Sequence, residues 1–257
     1  MIIGIIQGGL GNQLFCFSAL KKFAEIRKRR LVFAEISYGF ARNKAWSSSY
    51  SVGSICNDRI TKIQLLGWVY LLLRLLSTVK IGKYTIVAVI NEENFFSPPL
   101  SLIYVLDGYF QEVRFVSDLD LSTNRQKKLL TLHLRFYLPN DIHLSASEVD
   151  EHSINLIRKS ILISEKKKLE LNIVTDDKER VCGYQDKVDR KLNVISNSEK
   201  GDFSLIASSS CLIFSGSTFS WWAAREVMKG GGEVLFDSFF LEGRNLESYI
   251  YKEWKRI

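Results

Sequence analysis

The sequence predicts an α/β fold in which parallel sheets are covered by helices on both faces. Apolar runs of strand length recur along the chain, and stretches with a 3.6-residue apolar period separate them. Turns that contain Gly, Ser or Asp join the two kinds of segment. This alternation of strand and helix is typical of parallel sheets. The length of 257 residues suits one or two domains.

The first half opens with a buried strand and a helix. Ile2–Ile6 is a continuous apolar run, and 12–29 carries apolar residues at helical spacing. Further strands are predicted at Leu31–Phe33, Thr85–Ile90 and Ile103–Leu106, and a Ser-rich loop at residues 40–58. The most apolar stretch, 63–79, contains Arg74 and is short for a bilayer span, so it predicts a buried or surface-lying helix.

The second half repeats the pattern. Five strands are predicted, at Leu129–Leu134, Leu171–Val174, Leu192–Ile195, Cys211–Phe214 and Glu233–Phe236. Helices are predicted between them, at Glu148–Ile163, Phe203–Ala207 and Phe219–Met228. The alternation therefore predicts two Rossmann-like domains, residues 1–120 and 121–257, with the seam near 117–124.

Composition narrows the possible functions. With 46% hydrophobic and 25% charged residues, the chain is not disordered, collagen-like or coiled-coil. Its net charge of +7 favours nucleic acid, anionic lipid or phosphorylated small molecules as partners, and the absence of RNA-binding signatures argues against nucleic acid. The four cysteines are far apart and only three histidines are present, which predicts free thiols and no metal site. No credible signal peptide is seen, so a cytoplasmic location is expected.

Three segments carry polar residues where a strand meets a helix. In the first, residues 7–13, Gly9 and Gly11 permit a tight turn, and the amides of Asn12 and Gln13 suit a hydroxyl-rich ligand. The alternative is a structural turn, and the third glycine of a dinucleotide fingerprint is missing.

The second segment ends a strand with His133 and Arg135, which alternation places on one face. A strand end in an open α/β sheet faces the ligand crevice, where arginine can hold a phosphate. The alternative is a structural ion pair beside a core histidine.

The third segment, 215–222, joins a strand to a helix. Ser217, Thr218 and Ser220 could form an anion-binding turn or could cap the helix. Asp202 could cap a helix or accept guanine N–H groups. Asp176 and Asp177 are expected to cap a helix first and to function second. Trp221 and Trp222 are expected to fill core.

These segments occur in an order that resembles the bacterial α-1,2-fucosyltransferases of glycosyltransferase family 11. The resemblance covers residues 4 to about 225 and includes segments 107–111, 133–135 and 175–177. It implies a GT-B-like fold with the acceptor on the N-terminal side and the nucleotide sugar on the C-terminal side. It also implies inverting, metal-independent transfer from GDP-fucose, with no cofactor.

The resemblance implies a role for each candidate residue. Arg135 would hold the donor diphosphate and His133 would lie beside the nucleotide sugar. Asp202 would contact guanine, residues 217–220 would hold phosphate, and the loop of Gly9, Gly11, Asn12 and Gln13 would face the cleft. Where the family has HxRRGDY, this chain has Phe136 after Arg135. The second arginine and the Gly-Asp pair of the motif are therefore missing. Asp141 is a weak substitute for the lost acid.

A lipid-linked oligosaccharide of O-antigen synthesis is the expected acceptor. Peripheral contact with the inner membrane is therefore expected, through the apolar run Leu65–Leu76 and the basic cluster Lys21–Arg30. The alternatives are transfer from another nucleotide sugar, or a non-catalytic protein that binds a polysaccharide or a nucleotide.

Overall fold

The computed structural model describes residues 1–6, 8–29, 31–37, 62–82, 84–106, 108, 110–121, 128–136, 144–241 and 245–257. The chain divides into two units, Met1–Leu121 and Ser122–Ile257. Each unit contains one six-stranded, mainly parallel sheet. The predicted α/β class with Rossmann-like parallel sheets is confirmed.

The first unit is built around a sheet with strand order β3-β2-β1-β6-β5-β4. Its elements, in chain order, are β1 (Ile2–Ile6), α1 (Leu10–Arg27), β2 (Leu31–Ser37), β3 (Lys62–Leu66), α2 (Gly67–Leu76), β4 (Lys80–Ile81), β5 (Tyr84–Ile90) and β6 (Ser101–Leu106). Neighbouring strands are parallel, except that β4 runs antiparallel to β5. A 3₁₀ turn follows at Val113–Phe115.

Helix α1 lies directly on β1. A Cβ atom on Gly4 would meet Leu20 Cδ2 at 2.0 Å, so the absence of a side chain is what allows this approach. The far end of α1 contributes Phe23 to an aromatic cluster, where the Phe95 ring lies 5.2 Å from Phe23 and 5.0 Å from Phe115. This cluster fixes the segments that follow β5 and β6 against α1.

The second unit has the strand order β12-β11-β10-β7-β8-β9, with every neighbouring pair parallel. Its elements are β7 (Leu129–Leu134), α3 (Ala146–Lys167), β8 (Glu170–Thr175), α4 (Lys178–Cys182), α5 (Gln185–Val188), β9 (Val194–Ile195), α6 (Glu199–Ala207), β10 (Cys211–Ser215), α7 (Thr218–Lys229), β11 (Glu233–Asp237), α8 (Leu246–Tyr249) and β12 (Lys255–Arg256). This is the doubly wound order, which reverses between β7 and β10.

Alternation along β7 divides its side chains between two layers. Leu130, Leu132 and Leu134 join the apolar core that includes residues of α3. His133 therefore points to the opposite face, where α7 lies. Both tryptophans of α7 are fully buried, which confirms that Trp221 and Trp222 fill core.

One predicted element is wrong at its start. The apolar stretch 63–79 was predicted to be helical, but Lys62–Leu66 is β3, paired with β2, and the helix α2 begins only at Gly67. A short apolar run does not distinguish a buried strand from a helix, which explains the difference. The Ser-rich segment 40–58 lies outside the described residues.

In the part of the chain that the structure describes, no helix is both long and apolar enough to cross a bilayer.

Candidate functional site

The second and third polar segments meet where the strand order of the second unit reverses. His133 lies in β7 beside Phe214 of β10, and Ser215 ends β10. Ligands of open α/β sheets bind at this position, outside the carboxyl ends of the strands. The fold thus brings together Arg135, His133 and the start of α7 within one unit.

His133 is a buried, neutral histidine. Its Nδ1 is hydrogen-bonded to Ser220 Oγ in the first turn of α7, and both residues are buried. Burial, helped by the charge of Arg135, lowers the pKa of His133 to about 3. The imidazole is therefore uncharged at pH 7 and carries a single proton. When the Ser220 hydroxyl donates to Nδ1, that proton is on Nε2, which is then a hydrogen-bond donor.

Arg135 lies one residue beyond the end of β7. Its Nε is 3.9 Å from Asp176 Oδ2, and the other oxygen of Asp176 accepts a hydrogen bond from the Phe136 N–H at 2.9 Å. Asp176 thus fixes both the backbone after Arg135 and one side of the guanidinium. The side chains of Arg135 and Asp176 are each 40% exposed, so the guanidinium is accessible to a ligand.

The start of α7 combines a glycine turn with hydroxyl side chains at a helix N-terminus. Gly216 has φ +67°, a left-handed conformation that favours glycine, and it turns the chain from β10 into the helix. Ser217 is at the N-cap position but makes no side-chain cap hydrogen bond, and no acidic residue is in the first turn. The buried Oγ atoms of Ser215 and Ser217 have no hydrogen-bond partner among the described residues. A positive helix end beside two buried hydroxyls suits a phosphate.

Thr218 and Ser220 are the other predicted residues of this turn. Thr218 is the first residue of α7, and Ser220 turns inward to His133 rather than to the surface. Ser220 therefore positions the histidine, which is a different role from the predicted phosphate contact.

Asp202 lies in α6, beside α7. Phe203 and Phe219 join the two helices, with ring centroids 5.6 Å apart, and the Phe219 ring is 5.7 Å from that of His133. Asp202 Oδ1 accepts a hydrogen bond from the Asn197 N–H at 2.9 Å, while Ser198 caps the helix. Burial raises the pKa of Asp202. One carboxylate oxygen thus stabilises the turn before α6.

The first unit holds the predicted glycine loop at the start of α1. Gly9 is the N-cap residue and Gly11 is buried in the first turn. Gln13 Nε2 donates to the Gly8 carbonyl at 2.9 Å, and Asn12 Oδ1 accepts from Gln111 Nε2 at 2.9 Å. Both amides therefore support the loop and its contact with the segment after β6. Gln7 lies outside the described residues.

Phe136 occupies the position where the family motif has a second arginine. Its ring packs against the Arg180 guanidinium, whose carbon lies 4.4 Å from the ring centroid. Arg180 Nε donates to Asp150 at 2.7 Å, so this cation is engaged in a local ion pair. Asp141 and Asp107 lie outside the described residues.

The sequence predicts helix capping as the first role of Asp176 and a functional role as the second. In the structure Asp177 is the cap of α4, accepting from the Arg180 N–H at 3.1 Å, and Asp176 supports Arg135. The parallel pairing of Leu134 with Thr175 places the two following residues side by side. Strand register, had it been known, would have identified Asp176. In the part of the chain that the structure describes, no three His, Cys, Asp or Glu residues are grouped to hold a metal ion.

Comparisons with known proteins find similarity to solved structures. No protein-family model and no curated protein matches the chain. Among solved structures, the chain is similar to the E. coli heptosyltransferase WaaC with ADP, at a TM-score of 0.43 and 9% sequence identity. That likeness covers 92% of this chain and 87% of the other. Function therefore has to be inferred from the residues at the carboxyl ends of β7 and β10.

Proposed function

We propose that this protein is a glycosyltransferase, and specifically an inverting α-1,2-fucosyltransferase that uses GDP-fucose in the synthesis of an O-antigen or similar surface polysaccharide. The proposal rests on one observation: Arg135, His133 and the start of α7 converge where the strand order reverses. The order of the sequence motifs supports the choice of donor. The expected acceptor is a lipid-linked oligosaccharide.

The donor diphosphate would lie between Arg135 and the start of α7. The acceptor hydroxyl attacks the anomeric carbon and its proton passes to solvent water. The bond from that carbon to the diphosphate oxygen breaks, the electron pair leaves with GDP, and the configuration inverts. Negative charge grows on GDP as it leaves. The Arg135 guanidinium, the N–H groups of the first turn of α7 and the hydroxyls of Ser215 and Ser217 stabilise this charge, so no metal ion is required.

His133 contributes to this reaction as an uncharged donor. Because its pKa is lowered to about 3, it does not serve as a cation or as a general base near neutral pH. When the Ser220 hydroxyl donates to Nδ1, the Nε2–H is suited to an oxygen of the nucleotide sugar. The cationic part of the site is thereby assigned to Arg135.

The direct test is transfer by the purified full chain. With GDP-fucose and a β-galactoside acceptor we expect release of GDP, an α-linked product by NMR, and the same rate in excess EDTA. GDP-fucose hydrolysis without acceptor is the blank. A β-linked product, or loss of activity that manganese specifically restores, would contradict the inverting, metal-independent mechanism.

The replacement of the family's second arginine by Phe136 keeps two alternatives open. One is transfer from a different nucleotide sugar, and the same assay with UDP- and ADP-sugars detects it. The other is a non-catalytic protein that binds a nucleotide or a polysaccharide. Such a protein would bind its nucleotide or polysaccharide but would not split any nucleotide-sugar donor to release GDP.

A further inference from the structure

Exposed apolar side chains are concentrated in the first unit. Ten large apolar side chains are exposed among the described residues; Leu162 is in the second unit, and the other nine are in the first. The most exposed of these nine are Leu75 at 68%, Ile81 at 62% and Leu102 at 58%. Single exposed leucines are common on proteins, so only those of the nine that lie close together can indicate an interaction surface.

Strand register places several of these residues together. Leu100 and Leu102 flank the start of β6, where Ser101 pairs with Thr85, and Thr85 pairs in turn with Lys80 of β4. The amino group of Met1 donates to the Leu102 carbonyl at 3.2 Å. We call this surface the amino-edge patch, and it consists of Met1, Lys28, Arg29, Val79, Lys80, Ile81, Leu100 and Leu102.

The cations of the patch are exposed and lie among its apolar side chains. Arg29 Nη1 donates to the carbonyls of Ser101 at 2.8 Å and Leu102 at 3.1 Å, which fixes its guanidinium beside Leu102. Lys28 and Lys80 are exposed as well. Residues 59–91 contain no Asp or Glu but contain five Lys or Arg residues. All charged residues in this stretch, which supplies much of the patch, are therefore cations.

Only part of the predicted basic cluster belongs to this surface. Lys21 and Lys22 donate to the backbone carbonyls of Asp118 and Arg114, at 2.7 and 2.6 Å, and so hold the chain after β6 against α1. The cationic contribution of α1 comes instead from its C-terminal end, at Lys28 and Arg29.

We propose that the amino-edge patch is a peripheral contact with an anionic lipid surface. Ile81 and Leu102 enter the boundary between headgroups and acyl chains, while Lys28, Arg29 and Lys80 bind lipid phosphates. Apolar side chains combined with cations are what interfacial proteins use. Pairing of two copies through this patch would bring cations against cations, which disfavours a self-interface.

The test is sedimentation of the full chain with vesicles, without nucleotide or acceptor, so that its outcome does not depend on the proposed activity. We expect binding to vesicles of phosphatidylglycerol and phosphatidylethanolamine, weaker binding to phosphatidylcholine alone, and release in high salt. Ile81→Glu and Leu102→Glu should each reduce the partition at least about tenfold. Lys80→Gln should reduce it about fivefold.

Leu162→Glu is the matched control, because Leu162 is 66% exposed but lies in the second unit. It should bind vesicles like the wild type, and circular dichroism should show that all variants fold. The proposal is overturned if the wild type stays in the supernatant, or if Ile81→Glu and Leu102→Glu bind as Leu162→Glu does. It is also overturned if light scattering shows a dimer that Leu102→Glu converts to a monomer, since the patch would then bind a second copy.

Discussion

Among single side chains, that of Arg135 has the most direct role in the proposed reaction. Its side chain is 40% exposed, and its Nε lies 3.9 Å from Asp176 Oδ2. Because this carboxylate comes from a neighbouring strand end, the charge is preorganised before a ligand arrives. We expect Arg135→Ala to lower turnover by about 100- to 1000-fold with little change in the unfolding temperature.

The control for that substitution is Arg190→Ala, which removes an exposed arginine paired with Glu165. Turnover and thermal unfolding of both variants should be measured side by side. A folded Arg135→Ala variant within twofold of wild type would remove this residue from the mechanism.

Asp176 is a positioning residue, and it has a matched neighbour. Asp176→Asn keeps the hydrogen bond to Phe136 available but removes the charge beside Arg135, so we expect turnover to fall about 10- to 100-fold. Asp177→Asn should have no such effect, because asparagine caps a helix as well as aspartate does. Steady-state rates at saturating donor would distinguish the two, and equal rates would show that Asp176 does not position Arg135.

His133 makes the stability of the second unit depend on pH. A buried neutral histidine with a pKa of about 3 binds a proton only after unfolding when the pH lies between about 3 and 6.5. Stability is therefore fully retained above about pH 6.5 and falls by up to about 1.4 kcal/mol per pH unit below it. His133→Asn should lack this contribution.

Urea unfolding of wild type and His133→Asn at pH 7, 6 and 5 checks this expectation. The difference in unfolding free energy between the two should shrink as the pH falls. Parallel profiles would mean that His133 is not held neutral in the folded state.

Among the elements, the packing of α1 on β1 depends on one glycine. A Cβ at Gly4 would overlap Leu20, so we expect Gly4→Ala to destabilise the fold by about 1–3 kcal/mol. Gly9→Ala is the matched control, because a Cβ there meets nothing within 4 Å and its φ is −67°. Urea denaturation should show a lower midpoint for the first variant alone. Equal midpoints would mean that α1 can shift away from β1.

Elements with a clear period were predictable from sequence, and short ones were not. Leu129–Leu134 is a strand with the predicted bounds, because leucine recurs through it and charged residues, Lys128 and Arg135, flank it. The predicted helix of residues 12–29 is observed at Leu10–Arg27. The two-residue strands β4 and β12 carry no periodic signal, and β3 has the composition of the helix that follows it.

The candidate site likewise has residues that were predictable from sequence and pairings that were not. His133 and Arg135 were predictable because strand ends and alternation are local properties. The pairing of His133 with Ser220, and that of Arg135 with Asp176, joins residues 87 and about 40 positions apart, and only the sheet order brings them together. Gln13 shows the reverse case: its amide looked suited to a ligand, but it binds the carbonyl of its own turn.

For the whole molecule, nucleotide binding should be visible as stability. GDP at about 100 times its dissociation constant should stabilise the fold by about 2.7 kcal/mol and raise the unfolding temperature by several degrees. UDP and ADP at the same concentration should give smaller shifts, and Arg135→Ala should lose most of the GDP effect. Equal shifts for the three nucleotides would contradict guanine selectivity while leaving a diphosphate site in place.

The strand order of the second unit also determines when its sheet can form during synthesis of the chain. Its central pair joins Leu132 of β7 to Ile213 of β10, so the sheet cannot close until 81 more residues have been synthesised. In that interval β7, β8 and β9 can pair with one another, but the open edge of β7 exposes an apolar strand. Pairing over such a separation is slow, and an uncovered strand edge is prone to intermolecular association. The nascent chain is therefore most vulnerable to aggregation before β10 leaves the ribosome, and chaperone demand should be concentrated there.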